Sequence, residues 1–170
     1  MWANHDWLNI HPAKLRDAPQ VLYPGRVTPA TFGRLTEHLI DRCFAHPAHL
    51  LLDGCPYFSV YELGTLVASF GSVAATRRAL DQFRQRTRAA GFAGLHLNAV
   101  VWGRAVLPVE KVPADPVKLV KDLGFDSVTS YVWIHHVELP QLQTDFNEVR
   151  DAYFRHWNET VRKYDVPYFP

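Results

Sequence analysis

The sequence predicts an α/β fold, a partial (β/α)8 TIM-type barrel with roughly half of its units present. Three observations carry that expectation. Apolar strand-like runs alternate with amphipathic helical runs along the whole chain. Two helix-to-strand junctions share one form, Gly91-Phe92 and Gly124-Phe125, as repeated βα units around a parallel sheet would. The strand-like runs also acquire Tyr, His, Asn and Ser near their C-terminal ends, where a barrel carries its functional groups.

In chain order, a strand ending at Trp7 comes first, and Leu8 to Gly25, punctuated by Pro12, Pro19 and Pro24, reads as a long loop. Thr28-Pro29 starts a helix, because the Thr oxygen can accept a first-turn N–H and Pro has none to satisfy. Its apolar face is Phe32, Leu35, Leu39, Ile40 and Cys43, and it ends before Pro47. Leu50 to Leu52, the turn Asp53-Gly54-Cys55-Pro56 and Tyr57 to Tyr61 form a short strand, a tight turn and a buried strand. A short helix from Leu63 ends near Gly71. Ser72 then caps a longer one that turns Val73, Leu80 and Phe83 inward and five arginines largely outward. After Gly91 stops it, Leu95 to Val101 is a strand, Asp115-Pro116 starts a helix through Leu123, and Ser127 to Trp133 is the next strand. Thr144 caps the longest helix, with the stripe Phe146, Val149, Tyr153, Trp157, Val161 and Tyr164, and Val166 begins a further strand.

A complete barrel of this kind takes about 250 residues. The 170 present are therefore expected to be one domain, a central fragment whose missing partner is the rest of its own barrel. Such a fragment is expected to be poorly stable and inactive by itself, with its N-terminus cut through a strand. Eighteen basic against seventeen acidic side chains argue against a nucleic-acid or anionic-membrane surface. No apolar run approaches the roughly 18–20 residues of a spanning helix. Cys43 and Cys55 make no disulfide framework, and as free thiols they favour the cytoplasm. No cofactor and no metal is expected: no strand leads into a glycine-rich phosphate loop, the two cysteines are read as lacking zinc-type partners, and His135 and His136, as neighbours in an extended chain, point opposite ways.

The opening run Trp2-Ala3-Asn4-His5-Asp6-Trp7 is the densest chemistry in the chain. Sugars offer apolar C–H faces that stack on rings and hydroxyls that need both donors and acceptors, and this run supplies both. The alternative is a packed strand end with its polar groups satisfied.

Four stretches together resemble the WbsX-type, glycoside hydrolase family 99-like domains. They are Trp2-Ala3-Asn4 completed by Trp7, Asp53 to Phe58, Gly91 to Ala99, and the terminal Val166-Pro167-Tyr168-Phe169-Pro170. The resemblance implies a (β/α)8 barrel from a bacterial polysaccharide-processing protein, in a family labelled both as hydrolases and as glycosyltransferases. It also implies a mechanism in which a carboxylate assists the substrate's own 2-hydroxyl. The chain departs from the family at two points. The usual Trp-Ala-Asn-Glu-Asn-Trp has His5 in place of its acid and Asp6 in place of its second amide. The family's late Trp-Asn-Glu-Trp motif is also absent, since Trp157-Asn158-Glu159 is followed by Thr160 within a helical stripe.

Glycoside cleavage ordinarily needs two carboxyl groups roughly 5–9.5 Å apart. Asp6 and Glu62 are the catalytic candidates, although Glu62 could equally serve the start of the next helix. The substrate-binding candidates are Trp2, Asn4, His5, Asp6, Trp7, Tyr61, Glu62, Asn98, Tyr131, Trp133 and His135. His96 lies deeper on the face of Asn98 and reads as a core histidine. The expected function is a glycoside hydrolase-like activity on a bacterial or plant-type polysaccharide or oligosaccharide. The alternatives are glycosyl transfer in polysaccharide biosynthesis and a non-catalytic glycan-binding barrel.

Overall fold

The computed structural model describes residues 1–9, 20–106, 112–139, 141 and 143–170. Pro12, Pro19 and Pro140 lie outside the described residues. The chain runs β1 (Trp7–Leu8), β2 (Val21–Tyr23), α1 (Pro29–His38), β3 (Leu51–Leu52), β4 (Cys55–Val60), α2 (Leu63–Phe70), α3 (Val73–Ala89), β5 (His96–Val101), α4 (Pro116–Leu123), β6 (Ser127–Ser130), α5 (Phe146–Lys163) and β7 (Tyr168–Phe169). β4, β5, β6 and β7 are parallel neighbours in one curled sheet, and β3 pairs antiparallel with the start of β4.

Strand pleat separates the two faces of this sheet. Phe58, Val60, Leu97, Ala99, Val101 and Val128 enter one apolar cluster with Phe32 of α1, Leu66 of α2, Leu80 and Phe83 of α3, Leu123 of α4, and Tyr164 at the end of α5. The intervening residues Ser59, Asn98 and Ser127 form a buried row on the other face and sit opposite one another in register. Their hydrogen bonds run in one direction. Ser127 Oγ donates to Asn98 Oδ1 at 2.8 Å, and Asn98 Nδ2 donates to Ser59 Oγ at 2.9 Å. With its proton so used, Ser127 Oγ accepts from His96 Nε2 at 2.8 Å, which fixes the tautomer of a neutral His96.

Local signals set most helix ends. The side chains of Thr28, Ser72 and Asp115 accept from Thr31, Ala75 and Lys118 N–H groups. Gly124 ends α4 at φ +68°, a left-handed conformation that costs other residues energy. The arginines of α3 do more than face water. Arg84 donates to the Gly124 carbonyl at 2.5 Å and to Asp126 at 2.9 Å, fastening α3 to the entry of β6.

Six expectations need correction. Trp7 does not end a sheet strand: only Trp2 bridges β4, and Trp7 pairs instead with Tyr23 in a separate two-stranded ribbon. The described part of the expected loop thus contains β2. The first long helix passes into a π-helical turn, Leu39–Phe44, that buries Ile40 and Phe44. β6 stops at Ser130, and Trp133–His135 form a 3-10 turn. Asp145, not Thr144, caps α5 by accepting from Asn147 N–H at 2.7 Å. The buried side of α5 follows Val149 and Thr160, while Phe146 and Val161 are exposed.

Candidate functional site

The site begins where the first segment leaves the sheet. Trp2 N–H donates to Ser59 O at 2.7 Å, and Trp2 O accepts from both Tyr61 N–H and Asn4 N–H at 3.1 Å. That sharing turns the backbone away from β4. The Asn4 side chain then takes the place of a peptide group: Nδ2 donates to Glu62 O and Oδ1 accepts from Glu62 N–H, both at 2.7 Å. Asn4 and Glu62 are each only 1% exposed. The Glu62 carboxylate accepts from Thr65 Oγ1 at 2.5 Å, in the first turn of α2. Asp6 accepts from Gly25 N–H at 2.8 Å, where a Cβ on residue 25 would meet Asn4 O at 2.4 Å. Glycine at 25 is what lets the returning chain lie against the opening segment.

A continuous run of rings lies beyond Asn4 and Glu62. His5 sits 4.8 Å from Trp7 and 5.0 Å from Tyr61, measured between ring centroids. Tyr61 is 4.6 Å from Trp102 and 4.9 Å from Tyr131, and Trp102 stacks on His135 at 5.5 Å. His5, Trp7, Tyr61, Tyr131 and His135 are thus brought together at the C-terminal ends of β4, β5 and β6. Within this group Trp7 and Tyr131 are open to solvent, 54% and 48% exposed, while Tyr61 and His135 are buried. His135 Nδ1 bonds the Arg104 carbonyl at 3.0 Å, and His5 Nδ1 is buried without a partner.

Other expected binding residues fall elsewhere. Trp2 packs into the helix layer, 5.9 Å from Phe32, because it shares the face of Val60. Asn98 lies in the buried row beneath, with both amide atoms bonded to serines. Asn4 has both amide atoms committed to Glu62. Trp133, past the end of β6, lines a separate groove with Leu139, Thr144, Phe146 and Val149. Sequence reasoning missed Trp102, although the alternation His96, Asn98, Val100, Trp102 places it on the inner face.

No family model, characterised protein or solved structure matches the chain.

Among the described residues, no three of His, Cys, Asp and Glu are placed to hold a metal ion, and no helix is long and apolar enough to cross a membrane. Next to the ring cluster, His136 stacks on His156 of α5 at 4.0 Å. Burial, reinforced by His156 and His135, pushes the His136 pKa down to about 3, and burial also lowers that of His156. Unfolded histidine titrates near 6.5. The unfolded chain therefore takes up a proton at residue 136 below that pH while native His136 stays neutral, so stability is lost as pH falls from 6.5 toward 3. Allowing for partial exposure, His136 is expected to contribute about 1–2 kcal/mol of that loss by pH 4. Urea midpoints at pH 7 and pH 4 check this. His136→Phe should shrink the difference between them, and an unchanged difference would exclude the pair as its source.

Proposed function

We propose that the chain forms one wall of a carbohydrate site in a glycoside hydrolase-like (β/α)8 barrel. In this reading Trp7 and Tyr131 stack on sugar rings and His5 bonds a hydroxyl. The observation that carries the reading is the ring cluster at the C-terminal strand ends. It combines two exposed aromatic faces with a buried imidazole nitrogen that has no partner. Ring faces take sugar C–H surfaces, and the imidazole supplies directional polarity. Parallel barrels gather ligand groups at this end of the sheet.

The second reading, a glycan-binding barrel without cleavage by these acids, is favoured by the state of Asp6 and Glu62. Asp6 holds Gly25, and Glu62 is enclosed against Thr65. Glu62 is 1% exposed, so its carboxylate does not stand open at the ring cluster.

Tryptophan fluorescence titration of the chain with neutral oligosaccharides tests the carbohydrate reading. Trp7→Ala and Tyr131→Ala should each weaken binding about 3- to 10-fold, whereas Trp133→Ala should leave it unchanged. No response to any glycan, or an equal effect of Trp133→Ala, would refute the assignment. Release of reducing sugar that depends on Glu62 would reject the binding-only reading.

A further inference from the structure

Beside the ring cluster, the end of β5, the start of α4 and the last turns of α5 enclose a cavity of about 90 Å³. Trp102, His136, His156, Glu159, Lys163 and Tyr164 supply its chemistry. Among the residues that line it, Trp102 Nε1 and both ring nitrogens of His136 are buried with no hydrogen-bond partner. Trp102 is only 6% exposed. Buried polar atoms are rarely left bare, because each forfeits its water without replacement. Two residues that line one cavity thus carry three such atoms, which favours a polar occupant there.

The lining narrows what that occupant is. A neutral imidazole gives one donor and one acceptor, and an indole N–H only donates. An anion would meet the Glu159 carboxylate and the imidazole lone pair. A cation would meet the Lys163 ammonium and the N–H donors, and the described residues form no metal-binding triad. A hydroxyl group, donor and acceptor at once, fits both sides. Size then limits the ligand. A buried water needs about 10–15 Å³ of such space, so the cavity takes a hydroxymethyl group with a few waters. It is well below the roughly 300 Å³ at which ligand pockets begin, too small for a whole sugar ring.

Trp102 connects this cavity to the ring cluster, since it lines the one and packs on Tyr61 and His135 of the other. We propose that the cavity is a subsite for the exocyclic hydroxymethyl group of a hexose whose ring rests at Trp7 and Tyr131. This rests on the carbohydrate reading above. It selects hexopyranoses over the pentopyranoses that differ only by lacking that group. A site built to bond a hydroxyl discriminates strongly against an analogue without it, because the site's own polar atoms are then left unpaired.

The test is a set of matched titrations of the full chain, followed by ¹⁵N NMR of the imidazole and indole nitrogens. The probes are glucose against xylose, galactose against L-arabinose, and mannose against lyxose. For at least one pair, the hexose should shift the His136 and Trp102 signals and bind about tenfold or more tightly than its pentose. Both sugars of that pair should shift the Trp7 indole. His136→Phe should reduce the hexose to the affinity of its pentose while the Trp7 response persists. Equal binding within every pair, with His136 and Trp102 unmoved, overturns the subsite and leaves a water-filled cavity beside an intact sugar site. Silence at Trp7 with every probe overturns the carbohydrate reading and the subsite with it. A hexose preference that survives in His136→Phe overturns the role given to His136.

Discussion

Replacing Asn4 by alanine is expected to destabilise the chain by about 2–5 kcal/mol, from two hydrogen bonds whose partners stay buried. The side chain satisfies the N–H and the C=O of Glu62 at once, both at 2.7 Å. Alanine provides neither atom, and the space left is closed to solvent. Asn4→Asp separates the two bonds, since a carboxylate can still accept from Glu62 N–H but cannot donate to its carbonyl. Its loss should therefore be of the same order as that of alanine. Urea unfolding with an unchanged m-value would measure both. A loss under 1 kcal/mol for Asn4→Ala would mean that the amide does not stand in for a strand residue. The consequence reaches the proposed site, because this amide also fixes where Tyr61 and Glu62 leave the sheet.

The second large effect is expected at Phe83, whose replacement by alanine should cost about 3–5 kcal/mol. Its ring is 1% exposed. It stacks on Phe44 at 5.9 Å and meets Phe58 at 5.6 Å and Phe32 at 6.1 Å, edge to face. One side chain of α3 thus joins α1, the π-helical turn after it and β4. These three neighbours come from different elements, so the structure cannot close around the missing ring without moving several of them. Phe83→Leu, which keeps most of the apolar volume, should lose less than half as much. Thermal or urea unfolding decides, and a cost below about 1.5 kcal/mol for Phe83→Ala would show that the cluster repacks.

The helix starts at Thr28, Ser72 and Asp115 were legible in the sequence because a cap depends on neighbours three residues away. At α5 two residues able to cap, Thr144 and Asp145, stand side by side, so the sequence locates the helix start only to within a residue, and the expected stripe includes Phe146 and Val161, both exposed. Strand ends were less accessible. Trp7 and Trp133 continue apolar runs, but a ladder ends where its partner ends, and no local feature of the sequence records that. Asn4 has the chemistry of a sugar ligand, yet a free amide and one that replaces a peptide group look the same in a sequence. Trp102 is a different case, since period-two counting from His96 reaches it directly.

The one-way row of hydrogen bonds under the site bears on how the molecule meets acid. Because His96 Nε2 donates to Ser127, protonating this ring adds a proton at Nδ1 and leaves the donated bond in place. The row His96–Ser127–Asn98–Ser59 has no link that must reverse when pH falls. The stacked His136 and His156 have no such tolerance, since two charged rings at 4.0 Å repel. Acid would therefore loosen the molecule from the outside, first parting the turn after β6 from α5 while the strands beneath stay registered.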